Sequence, residues 1–258
     1  MMNTSFIYST PAWLLCFFLF LLMMLASYGG FRSRQKNQIP ADNLGPVEGS
    51  LFGLLGLLLA FTFSMSASRY DNRRSVIVEE TNDIGTAVLR ADMYNDSAKL
   101  GFQKDFKQYI NARIAYYDAG TNETKIAVTK DAASKAAMLL WNRATALSKI
   151  SSNLAATNQM IPALNQMIDV TTVREASLRA KVPDIIILLL FSISIACGFL
   201  AGFEIPVSKR INWITVLSFS ILTVLVIYVI MDLDQPRSGF INLNSNQQAM
   251  KDLQQLIR

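Results

Sequence analysis

The sequence predicts an all-α, multi-pass membrane protein with four transmembrane helices and a helical extramembrane domain between the second and third. Three observations carry this. Of the 258 residues 52% are hydrophobic and only 17% are charged, against about 25% charged in an average soluble domain. The apolar excess is gathered in four blocks without a charged residue, 12–28, 51–68, 185–203 and 213–231, each near the ~20 residues that a helix needs to cross about 30 Å of hydrocarbon. The charge is gathered between the second and third blocks, where residues 69–182 hold 16 of the 24 Lys+Arg and 12 of the 19 Asp+Glu.

Composition also removes whole classes of chemistry. The chain has no histidine and two cysteines. Without imidazole there is no Ser-His-Asp triad, His-ligated metal or His proton relay. Two cysteines cannot staple a chain of this length, and Cys16 and Cys197, inside apolar blocks, read as small hydrophobes. No Gly-rich phosphate loop or nucleophile elbow is present. Neither a cofactor nor a metal is expected, because Asp232 and Asp234 are too few carboxylates for Ca²⁺. The basic residues are scattered and lack stacking platforms, which argues against nucleic acid.

Taken in order, the first block (12–28) follows a stretch without Lys or Arg and precedes no convincing small-x-small cleavage site. It reads as a retained span rather than a signal peptide. Residues 1–68 thus hold the first and second spans. Span two carries a stripe of small residues, Gly49, Gly53, Gly56, Ala60, Ser64 and Ala67, spaced 4, 3, 4, 4 and 3. Small side chains let helix backbones approach in lipid. The stripe serves either packing within one protomer or packing against copies of itself around an axis. In the second case the hydroxyls Thr62, Ser64, Ser66 and Ser68 and the rings of Phe61 and Phe63 could line or pinch a pore.

The segment 69–182 reads as helix nearly throughout and continues span two without turn chemistry. Phe102, Phe106, Tyr109, Ile110, Ile114 and Tyr117 form one apolar face. Leu140, Ala144, Leu147 and Leu154 form another, and Ile161, Leu164 and Ile168 a third. Breaks are expected at Asn95-Asp96-Ser97, at Gly120-Thr121-Asn122 and on the approach to Pro162. Just after span two, Arg69, Arg73, Glu80, Asp83 and Arg90 share a helix face, most of them without an opposite charge three or four residues away, so their partners belong elsewhere. Asp232 or Asp234, after span four, is expected to pair with Arg69 or Arg73. Arginines left over, with Arg74, would form a cationic collar that concentrates anions.

The last helix of this segment is expected to run into span three, with Pro183 as a first-turn residue and Asp184 at the positive end. Residues 183–231 hold spans three and four. Span three carries Ser194, Gly198 and Gly202, the last two a GxxxG. Residues 232–258 read as a C-terminal tail. Four spans place both termini and the domain on one side, and the loops 29–50 and 204–212 on the other. Basic residues near the membrane number seven on the domain side and five in the loops, which votes for a cytoplasmic domain and termini, while the uncharged N-terminal stretch followed by Arg32-Ser-Arg34-Gln-Lys36 votes the other way.

The chain resembles the bacterial bestrophin-like membrane proteins, a family catalogued largely as a domain of unknown function. The likeness lies in Phe61-Thr-Phe-Ser-Met-Ser-Ala-Ser-Arg69-Tyr70-Asp71-Asn-Arg73-Arg74 with Glu80, Ile84-Gly85-Thr86 and Leu89-Arg90-Ala91-Asp92. It continues through Tyr109-Ile-Asn-Ala-Arg113 with Tyr116, Ile161-Pro162-Ala-Leu-Asn165-Gln-Met-Ile-Asp169, and Asp232-Leu-Asp234-Gln-Pro236-Arg237-Ser-Gly239. The resemblance implies a bacterial inner-membrane protein assembled as a ring-like homo-oligomer. In it span two lies at the axis and small inorganic anions such as chloride are conducted. Two alternatives stand beside this reading: a non-conducting scaffold, and a sensor whose helical domain binds a partner. An intramembrane enzyme is disfavoured because no ionisable residue lies within a span.

Overall fold

The computed structural model describes residues 7, 10–37, 45–206, 210–237, 239, 241 and 248–256. In chain order the helices are α1 (Ala12–Asn37), α2 (Gly45–Arg90), α3 (Asp96–Asp118), α4 (Glu123–Leu147), α5 (Leu154–Arg179), α6 (Asp184–Phe203), α7 (Trp213–Leu233) and α8 (Gln248–Leu256), with single 3-10 turns at Ala91–Met93 and Ser151–Asn153. No strand occurs among the described residues. Helices α1, α2, α6 and α7 each contain a stretch long and apolar enough to cross a membrane.

The chain divides into two compact units, Met1–Ser68 with Lys181–Gln235, and Arg69–Ala180 with Pro236–Arg258. In the first, Cys16, Leu19 and Met23 of α1 pack with Ile187 and Leu190 of α6 and with Ile227 and Ile230 of α7. Its outward faces are apolar: Trp13, Phe17, Leu21 and Leu25, Ile185 and Leu188, Ile214, Leu222 and Leu225 are all exposed. An apolar exterior over an apolar core is what a bilayer solvent requires.

The second unit buries aromatic and aliphatic side chains from α3, α4, α5 and the charged half of α2. Phe102, Phe106, Ile110, Leu140, Met160, Leu164 and Ile84 are each fully enclosed. Helix starts follow their caps. The Asn95 side chain accepts from the Ala98 N–H, and the Asn122 side chain from the Lys125 N–H, as N-caps do. Gly120, at φ +55°, turns the chain between α3 and α4 in the left-handed region that only glycine enters freely.

The structure departs from the expectations at five places. Helix α1 runs through Gly29-Gly30 to Asn37, so the first loop is shorter than 29–50. Gly30 is held against the Phe199 carbonyl, and Arg34 is buried and donates to the carbonyls of Phe203 (2.9 Å) and Glu204. A cation there satisfies the last carbonyls of α6. Pro162 sits inside α5, and the break falls earlier, at Ser148–Asn153. Leu154 is exposed rather than a member of a core face. Helices α5 and α6 are separated by non-helical Ala180–Pro183. Proline excludes its predecessor from the helical region, and the Val182 N–H donates to the Asp234 carboxylate at 2.6 Å instead of to a helix carbonyl. The tail ends in an amphipathic helix, α8, whose Met250 and Leu253 enter the second unit's core.

Candidate functional site

Two regions of α2 define the site. The apolar region has one covered face: Leu55, Thr62 and Ser66 are buried, Leu58 and Leu59 touch the first unit's core, and Phe52 meets Phe219 edge to face at 5.2 Å. The opposite face is bare. A Cβ built at Gly49, Gly53 or Gly56 meets nothing within 4 Å among the described residues. Ala60, Phe61, Phe63 and Ser64 are exposed. Thr62 departs from the pore-lining expectation. It is 2% exposed and donates to the Leu58 carbonyl, because two residues beyond Ala60 lie about 200° round the helix.

The small residues of α6 behave differently. A Cβ at Gly202 would meet the Ser27 carbonyl oxygen well inside contact distance, and one at Gly198 would lie 3.1 Å from the Met23 carbonyl oxygen. The Ser27 hydroxyl spans the two helices, donating toward Gly198 O at 2.8 Å and Met23 O at 2.9 Å. This GxxxG is thus used up inside the protomer, joining α1 to α6.

Beyond Ser68 the helix becomes charged. Arg73 is buried and donates from Nε to Ser177 O at 3.0 Å and from Nη2 to Ala180 O at 2.5 Å. It caps the C-terminal carbonyls of α5, which corrects its assignment to an open anion-attracting collar. Arg69 is half-buried and Arg74 exposed. Asp232 and Asp234 are buried in the first unit; Asp234 holds the Val182 N–H, and Asp232 lies 3.4 Å from the Tyr228 hydroxyl.

Sequence reasoning placed Glu80 on a face lacking local partners but did not find what it meets. Glu80 is fully buried between two guanidiniums. Arg113 Nε donates to Oε1 at 2.6 Å, Arg174 Nη1 to Oε2 at 2.6 Å, and the Tyr117 hydroxyl to Oε2 at 2.5 Å. Arg174 stacks on the Tyr117 ring at 3.7 Å, a cation–π distance. Burial alone would raise the Glu80 carboxyl, but Arg113, Arg174 and the Tyr117 hydrogen bond outweigh it and hold it below the ordinary carboxylate value. The available signal was a charged residue at the spacing of Ile77 and Ile84: a buried charge must find its counter-ions on other helices. Arg237 is a second residue whose role was missed. It donates to Gly120 O at 2.9 Å and lies over the Tyr116 ring, so it pins the chain after α7 to the α3–α4 turn. Among the described residues no group of three or more His, Cys, Asp or Glu could hold a metal ion.

An all-helical chain with four apolar helices of membrane-crossing length and a buried charge cluster is a multi-pass membrane protein. It belongs to the Bestrophin-like domain family, whose model matches residues 15–247. No curated protein matches it in sequence. Its fold is shared by crystal structures of a bacterial bestrophin homolog from Klebsiella pneumoniae that carry single substitutions. One is 14% identical, with 95% of this chain and 99% of the homolog aligned at a TM-score of 0.72. A second, also 14% identical, aligns 94% and 98% at 0.72, and a third, 15% identical, aligns 93% and 98% at 0.69.

Proposed function

We propose that the protein is the subunit of a ring-shaped homo-oligomeric channel of the bacterial inner membrane. Small inorganic anions such as chloride pass along an axial path lined by α2, and the helical unit and termini face the cytoplasm. The observation that carries this reading is the bare face of α2. Gly49, Gly53, Gly56, Ala60 and Ser64 line up on it, and the three glycines have no neighbour among the described residues. Such a surface suits close approach to identical helices or to a pore. Phe61 and Phe63, both exposed, are the constricting side chains. Arg74, with Arg69, supplies positive potential at the mouth, and a ring multiplies its effect. Family membership supports a channel.

Recording from purified protein in planar bilayers under a chloride gradient tests it. A reversal potential on the chloride side that moves toward cations in Arg74→Glu is the expected result. A current indifferent to Arg74 would remove its role at the mouth; no current, or a mass of one or two chains in nanodiscs, would return the molecule to the scaffold reading.

A further inference from the structure

The second unit contains a cavity of about 390 Å³ between α3, α4 and α5, within the range of small-molecule sites. Its walls are Ala137, Met138, Trp141 and Ile168, and Tyr109 and Arg113 line it as well. A Lys130–Glu175 pair at 2.7 Å, partly exposed, also borders it. A largely apolar cavity into which polar groups also converge, Ser134, Asn165 and Thr171 among them, has the composition of a binding site rather than of a packing defect.

Two observations point to the charge of the occupant. First, the buried cluster is not neutral. Arg113 and Arg174 share one carboxylate, Glu80, and all three side chains are at most 6% exposed. One positive charge is left over in a place where unpaired charge is costly. Second, polar atoms there lack partners. The Tyr109 hydroxyl, on the cavity wall, is buried without a hydrogen bond among the described residues, and so is Arg174 Nε in the adjoining cluster. Such groups in a native fold call for an explanation such as a bound ion or ligand. Burial pushes the Tyr109 phenol above its ordinary value of 10.0, so it stays protonated and able to donate.

We infer that this cavity binds a small organic carboxylate, with its anionic group toward Tyr109 and Arg113 and its apolar body against Trp141, Met138 and Ile168. The site lies wholly within the helical unit and is independent of the channel reading. Chloride could meet the charge but not fill the walls, so an apolar monocarboxylate is the committed occupant.

Calorimetric titration of the full-length protein in nanodiscs with benzoate and with phenylacetate tests this, with benzyl alcohol and chloride as controls. At least one acid is expected to bind saturably, the alcohol at least tenfold more weakly. Tyr109→Phe, which removes one hydrogen bond to a charged group, should weaken the acid about tenfold. Ala137→Trp, which fills the cavity, should abolish the isotherm while leaving the circular dichroism melt cooperative. No saturable binding of either acid would overturn the proposal. So would equal affinity for benzyl alcohol, or an isotherm unchanged by Ala137→Trp.

Discussion

Two helices of this protein carry nearly the same small-residue signature and use it in opposite ways. On α6, Gly198 and Gly202 are pressed against the backbone of α1 at Met23 and Ser27. On α2, Gly49, Gly53 and Gly56 meet no neighbour among the described residues. A stripe of small residues therefore specifies that a close partner can be accepted, and not whether that partner is in the same chain. Between the two, α2 is the helix with an unfilled contact, which is why it is the candidate for the oligomer axis.

That contrast can be broken at its root through the other end of α2. A helix that leaves one face bare must be anchored elsewhere, and Glu80 is the buried anchor. Glu80→Ala leaves two guanidiniums facing each other and is expected to cost about 3–5 kcal/mol, read as lost folded yield or a collapsed melting temperature in detergent. The same anchor has a pH signature. The Glu80 carboxyl is held below its ordinary value of 4.5, so its stabilisation is complete above pH 4.5 and disappears as pH falls through the depressed value. The melting temperature should drop below pH 4.5 in the wild type, and Glu80→Gln should flatten that drop. A wild-type curve as flat as the variant's would remove the anchor role.

The next largest effect belongs to the packed stripe. Gly202→Leu must displace the Ser27 backbone and should cost about 3 kcal/mol, measurable as loss of monodisperse protein. Ser27→Ala removes one interhelical hydrogen bond at the same contact and should cost about 0.6 kcal/mol. The smallest effect on stability is expected on the bare stripe. Gly53→Leu should shift the protomer's thermal stability by no more than about 0.5 kcal/mol, yet change the assembly mass by native mass spectrometry or suppress the current. If Gly53→Leu unfolds the protein as Gly202→Leu does, the two stripes are alike and the axial role of α2 falls.

Much of the architecture was legible because each element has a local cause. Four uncharged apolar blocks can only be buried in lipid or in a core. Asn95 and Asn122 mark helix starts, and Phe102, Phe106, Tyr109 and Ile110 repeat at helical spacing. Where expectations missed, a distant partner overrode the local rule. Gly29-Gly30 reads as a break, but Arg34 finds the end of α6. Arg73 reads as an anion attractor, but the last carbonyls of α5 claim it.

The sequence by itself determined that this is an all-helical membrane protein with a charged helical insertion, because hydropathy, period and charge are properties of short stretches. Only the tertiary structure decided which small residues are spent, that Thr62 turns inward, and that one carboxylate is shared by two buried arginines beside a cavity. The first and third of those outcomes depend on residues 33 to 171 positions apart, a separation over which side-chain patterns carry no register.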